Sequence, residues 1–167
     1  AKVQVLGQRY GRCNLLELRK KFSWISPLMF KMTNPQTTAL EVVLSGFDAT
    51  IGIHREVTAE ENDTALATMD KLGCACLAGQ SFCTLSSGEQ VKVLICRGML
   101  LSPQLLILDE ACVHLDMYTR EYLLNYVDEI ATSKIVSNIV FISHRIEDIT
   151  PTFQKGMIKR RLVSSAR

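Results

Sequence analysis

Residues 2–6, Lys-Val-Gln-Val-Leu, alternate polar and apolar as a short strand does. Gly7 and then Tyr10-Gly11-Arg12 read as turns, and Leu15 to Lys20 allows one or two helical turns. Phe22 to Ile25 predicts a strand that Ser26-Pro27 stops, because proline has no N–H for a ladder. From Leu28 to Asp48 the pattern is mixed. Ala39, Leu40, Val42, Val43 and Leu44 predict a short helix over 37–45, ended by Gly46. Gly52 and His54 fall in a connecting loop. Thr58-Ala59-Glu60-Glu61 is a capping box: the threonine oxygen accepts from the third helical amide and Glu61 reaches back. Ala65, Leu66, Met69 and Leu72 then recur at helical spacing, and Gly73 closes the segment.

A loop leads to Leu85. The next helix starts near Ser86–Gly88 and runs to about Leu101, with Val91, Leu94, Ile95 and Met99 on one face and Pro103 stopping it. Leu105 to Leu108, four large aliphatics in a row, predicts a strand buried on both faces. Met117 to Ile130 predicts a helix with Tyr118, Tyr122, Leu123, Tyr126, Val127 and Ile130 as its apolar stripe. Asn138 to Ser143 predicts a second buried strand. Strand, helix and strand in succession imply a parallel α/β sheet. No internal repeat or low-complexity segment interrupts the chain.

Composition narrows the class. A length of 167 residues gives one domain with a real core, and 47% apolar with 22% charged residues fits a folded globular protein. The net charge of +2 does not argue for nucleic acid, and Lys159-Arg160-Arg161 reads as a solvated tail. No apolar run approaches the roughly 20 residues of a membrane span, and the N-terminus carries no secretory pattern. A cytoplasmic protein is expected, with the six cysteines as free thiols. Cys74, Cys76 and Cys83 lack the paired two-residue spacing of a zinc site.

Three places can carry chemistry. The strand 105–108 ends in Asp109-Glu110, and ligands of parallel sheets gather at the carboxyl ends of strands. One carboxylate could hold Mg2+ and the other could orient or deprotonate a water. Alone, the pair reads more readily as two solvated loop carboxylates. The second strand ends in Ser143-His144. If the strands are neighbours, His144 projects over the same edge as Glu110; alone, it reads as a surface histidine. Ser86-Ser87-Gly88 opens a helix whose unpaired amides and hydroxyls suit an anion, and Gly88 would allow a phosphate close. An ordinary serine N-cap explains the same residues.

Taken together, these residues resemble the ABC ATPase family. Leu85-Ser86-Ser87-Gly88-Glu89-Gln90 looks like its signature, usually LSGGQ or LSGGE, with Ser87 replacing one glycine. Leu105 to Asp109 matches the Walker B strand, Glu110 the catalytic glutamate, and His144 the switch histidine. Residues 111–116, from Ala111 to Asp116, occupy the D-loop position; Leu115-Asp116 agrees with the family and Cys112-Val113-His114 departs from it. The phrase Val43-Leu44-Ser45-Gly46-Phe47 is similar to the molybdenum-linked soluble tandem ABC proteins. The resemblance implies an α/β fold: an incomplete P-loop NTPase-like parallel sheet with a helical signature subdomain at about 27–101 and the Walker B, D-loop and switch part at about 102–150.

Two departures matter. Ser26 stands at the Q-loop position, where a glutamine normally senses magnesium and the transport partner. The phosphate loop, GxxxxGK[ST], is expected upstream of Ala1, and none of the nine glycines forms it. The resemblance therefore implies ATP and Mg2+ as cofactors, weakly held by this chain alone. Asp109 would meet Mg2+, and Glu110 and His144 would be catalytic. Ser86, Ser87, Gly88, Glu89 and Gln90 would face ATP held by a partner cassette, with Asp116 at the same interface. The expected partners are another ABC ATPase domain, as a homo- or heterodimer, and a membrane permease at the inner face of the cell membrane. Nucleic acid is not expected. The expected function is that of a fragment of an ATP-driven transport ATPase with an incomplete site of its own. The alternatives are a non-catalytic module that pairs with another ABC domain and, ranked lower, a DNA-repair type ATPase. The absence of a phosphate loop and its helix would leave one sheet face uncovered and prone to association.

Overall fold

The computed structural model of the protein describes residues 4–9, 11–113, 115–133 and 136–154. Lys2, Val3, Tyr10, His114 and Lys159-Arg160-Arg161 lie outside the described residues. Strands β1 (Gln4–Val5) and β2 (Gln8–Arg9) form an antiparallel hairpin. Its turn residues, Leu6 and Gly7, sit at φ 49° and 74°. Two left-handed residues in succession match the twist of a tight hairpin.

Helix α1 (Leu15–Lys20) starts where the Asn14 side chain accepts from the Leu16 N–H, and β3 (Phe22–Ile25) follows. Helix α2 (Leu28–Met32), which the hydrophobic pattern does not predict, starts behind Pro27, whose φ of −55° is already helical. Helices α3 (Ala39–Leu44), α4 (Ala59–Lys71) and α5 (Ser87–Met99) all start with the same capping box, through Thr38 and Glu41, Thr58 and Glu61, and Ser86 and Glu89. Gly46 is not a left-handed cap on α3. A Cβ there would lie 2.5 Å from the Arg97 carbonyl oxygen, so the glycine serves the close passage of α5.

Strand β4 (Leu105–Asp109), helix α6 (Met117–Ser133), strand β5 (Asn138–Ile142) and the short α7 (Pro151–Gln154) complete the order. The sheet is parallel in the order β3, β4, β5, with Ile25 beside Leu108 and Asp109 beside Ile142. This confirms the expected parallel α/β fold.

The core gathers on α5. Val91, Val93, Leu94, Ile95 and Cys96 are buried, so the helix is covered nearly all round. It joins Val43 of α3, Met69 of α4, Val127 of α6, and Leu106 and Leu108 of β4 in one cluster. The second sheet face differs from expectation. Trp24, Val140 and Ile142 on that face remain 36%, 44% and 43% exposed. The run 105–108 is therefore buried on one face only, through Leu106 and Leu108, and the run 138–142 is half-buried on that face, because no described layer covers the other. In α6, Leu123, Val127 and Ile130 are buried, while Tyr118 is 81% exposed, so the apolar stripe is narrower than the spacing predicts. The buried thiols of Cys74 and Cys96 lie 3.2 Å apart, and Cys76 and Cys83 are exposed.

Candidate functional site

Parallel pairing of β4 and β5 brings two chain segments to one edge. Beyond Asp109, Glu110 turns the chain at φ 54°, and its N–H donates to the Ile142 carbonyl at 2.9 Å. A left-handed backbone at a residue with a long side chain is unfavourable and persists only where surrounding contacts hold it. The turn directs the carboxylate toward the end of β5, where His144 Nε2 lies 2.5 Å from Glu110 Oε1. His144 is largely exposed and Glu110 half-exposed, so a ligand arriving at this edge can reach both. The sequence expectation that His144 and Glu110 share an edge holds.

Asp109 is half-buried, and its Oδ2 accepts from the Trp24 indole N–H at 3.3 Å. Among the described residues no cluster of three His, Cys, Asp or Glu side chains could cage a metal. A single strand-end carboxylate with open water positions suits Mg2+, which keeps most of its waters and takes phosphate oxygens as further ligands. The donor type therefore fits the ion, with Asp109 as the residue that would hold it.

Behind the edge is a network the sequence reading missed. Asp148 is 2% exposed, and its two carboxylate oxygens accept from Arg120 Nε of α6 and from Ser143 Oγ. Ser143 Oγ also accepts from the Arg145 N–H at 3.0 Å. The residues flanking His144 are thus tied to a buried ion pair. Burial, followed by the Asp148 charge, pushes the neighbouring Cys112 thiol up to about 12. No sequence signal marks Asp148: it reads as half of an ordinary Glu147-Asp148 pair.

The start of α5 is a separate region. Ser86 Oγ accepts from the Glu89 N–H at 3.4 Å and donates to Glu89 Oε2 at 2.7 Å, and the Ser86 N–H meets the same carboxylate at 2.8 Å. The Ser86 hydroxyl, then its N–H, holds the Glu89 carboxyl below the ordinary value. The Gln90 side chain donates to the Phe82 carbonyl at 2.9 Å. Ser87 is half-buried and Gly88 buried. A Cβ on Gly88 would lie 2.1 Å from Thr119 Cγ2, so the approach of α6 accounts for this glycine. Thr119 in turn caps with Asp116, its Oγ1 donating to Asp116 Oδ2 at 2.6 Å. The signature and D-loop positions are therefore packed together. Among the described residues the backbone joins them once, the Val113 N–H donating to the Glu110 carbonyl at 3.0 Å, and no side-chain hydrogen bond or ion pair links them to Asp109, Glu110 or His144. Ser26 is buried at the end of β3, and its Oγ accepts from the Leu28 N–H at 3.4 Å.

A family model described as ABC transporter matches residues 2–113. The chain belongs to the ABC transporter family. The uncharacterized ABC transporter ATP-binding protein YlmA of Bacillus subtilis is 34% identical over 95% of this chain and 61% of its own length. The ABC transporter ATP-binding protein ModF of Escherichia coli is 31% identical over 86% of this chain and 30% of its own length. Among solved structures, the dimeric ATP-binding cassette MJ0796 bound to ADP and phosphate superposes with a TM-score of 0.68 over 88% of this chain and 64% of its own. At 22% identity that likeness establishes the fold. The chain spans about 61% of the length of YlmA. Domains of the ABC family bind ATP with Mg2+, and among the described residues no helix is long and apolar enough to cross a membrane.

Proposed function

We propose that this chain supplies the hydrolytic edge and the signature of an ATP-binding cassette, while the phosphates are cradled by a loop that its 167 residues do not contain. Among those residues no Gly-x-x-x-x-Gly-Lys-Ser/Thr segment occurs. The observation that carries this reading is the Glu110–His144 contact of 2.5 Å at the ends of adjacent parallel strands. A carboxylate and an imidazole so placed can position a water and hydrogen-bond a phosphate oxygen. Asp109 is the residue that would hold Mg2+, which when bound would neutralise phosphate charge. In the resting state His144 occupies Glu110, and nucleotide engagement separates them.

Ser86, Ser87, Gly88, Glu89 and Gln90 face the nucleotide of a second cassette, with Asp116 at the same seam. The packing of Gly88 against Thr119, which caps with Asp116, sets the two motifs side by side. The dimeric form of MJ0796 supports pairing of two cassettes. A membrane permease is the further partner proposed, and it would place the chain at the cytoplasmic face.

Phosphate release from MgATP tests this assignment. The chain alone is expected to stay at the level of a Glu110→Gln variant. Magnesium-dependent turnover that Glu110→Gln abolishes would overturn the shared-site reading while supporting the edge. Turnover indifferent to Glu110 would overturn both.

A further inference from the structure

A cavity of about 570 Å³ opens between α1, the outer edge of β3, the loop after α3 and the last turn of α5. Its size is in the range of small-molecule sites. Arg19, Lys20, His54 and Arg97 line it, and no carboxylate among the described residues does. Arg97 is the deepest of the four. Its Nε donates to Ser45 Oγ at 3.1 Å and its terminal nitrogen to the Thr50 carbonyl at 2.7 Å, both neutral acceptors. Arg97 is half-buried; a guanidinium withdrawn from water is ordinarily matched by an anion, and desolvation here lowers its pKa.

A second observation is independent of charge. Ser23 is 7% exposed and lines the same cavity. Its Oγ is the one buried side-chain oxygen or nitrogen among the described residues without a hydrogen-bond partner. An unpaired buried hydroxyl is unfavourable, and this one lies against Gly98 of α5, where a Cβ would sit 2.3 Å from it.

We propose that this cavity binds a small organic molecule bearing a phosphate group, its charge matched by Arg19, Lys20 and Arg97 and one of its oxygens accepting from Ser23. Three cations, of which Lys20 also pairs with Glu17 at 3.9 Å outside the lining, favour an anion, and a guanidinium fork suits phosphate oxygens. The cavity is larger than one phosphate, so the organic remainder rests on its apolar walls. Asp109, Glu110 and His144 do not line it, so the proposal stands apart from the nucleotide reading.

Trp24, the single tryptophan of the chain, lines the cavity and reports on it. Its emission is followed while the full chain is titrated with glycerol 3-phosphate or inorganic phosphate. EDTA keeps divalent ions off Asp109, and chloride holds the ionic strength constant. Glycerol 3-phosphate should give a saturable change, with inorganic phosphate weaker. Arg19→Gln with Lys20→Gln, both exposed, should weaken binding about tenfold or more. Ser23→Ala should weaken it similarly while leaving the thermal midpoint unchanged or higher, which a purely structural serine would not do. No saturable response, or one equal in both variants, would overturn the proposal. Equal affinity for inorganic phosphate would overturn its organic part.

Discussion

The start of α5 and the strand-end edge are the two places where this chain carries the motifs of its family, and they are built differently. At α5, four of the motif residues have an ordinary structural explanation. Ser86 and Glu89 cap the helix, Gln90 ties down the preceding turn, and Gly88 makes room for Thr119. At the strand ends the backbone of Glu110 is left-handed at φ 54°, and a carboxylate is buried behind it. Stability alone would select neither. Where local physics accounts for a motif, the motif is weak evidence of function. Where the structure bears an unfavourable feature, function is the better explanation.

Breaking the support of the edge should have the largest effect. Asp148→Ala leaves Arg120, 13% exposed at its side chain, without its buried partner. A loss of about 3–5 kcal/mol is expected from urea unfolding. A loss below about 1 kcal/mol would mean that the pair does not hold the segment around His144.

Gly88→Ala should cost about 1–3 kcal/mol through its clash with Thr119 Cγ2, and adding Thr119→Ser should restore most of it. Failure of that rescue would make the glycine something other than a packing residue. Ser86→Ala should cost about 1 kcal/mol at neutral pH. The Glu89 carboxyl in the folded chain lies below its ordinary value of 4.5, so the capping contribution is complete above that pH. It is lost as pH falls through the lower folded value, and the gap between wild type and variant should close there. A gap that widened on acidification would contradict the sign.

The smallest effect has the opposite direction. Glu110→Gly relieves the left-handed backbone and should raise stability by up to about 1 kcal/mol. If it instead cost more than about 1 kcal/mol, Glu110 would be a structural residue and the contrast between the two regions would fail.

Much of this was legible in the sequence. Phe22–Ile25, Leu105–Leu108 and Asn138–Ile142 stand out because parallel strands are short apolar runs between turn signals. The Thr58 box announced α4, and the strand ends placed Glu110 and His144 on one edge. What escaped depends on contacts between segments distant in sequence. Asp148 meets Arg120 across 28 positions, and Trp24 meets Asp109 across 85, and no local period encodes either. The one-sided burial of β4 and β5 escaped for a similar reason. An aliphatic run states what a strand tolerates on each face, and the neighbouring layers decide what covers it.

The proposed division of labour gives this chain the hydrolytic edge and leaves the phosphate cradle outside its 167 residues. Titration of the chain with a fluorescent trinitrophenyl ATP analogue, with and without Mg2+, tests it most directly. The account predicts no saturable binding below about millimolar nucleotide, since a lone carboxylate–imidazole edge lacks the backbone amides and lysine that hold triphosphates. Micromolar, magnesium-dependent binding would contradict it and would place a phosphate cradle within these 167 residues.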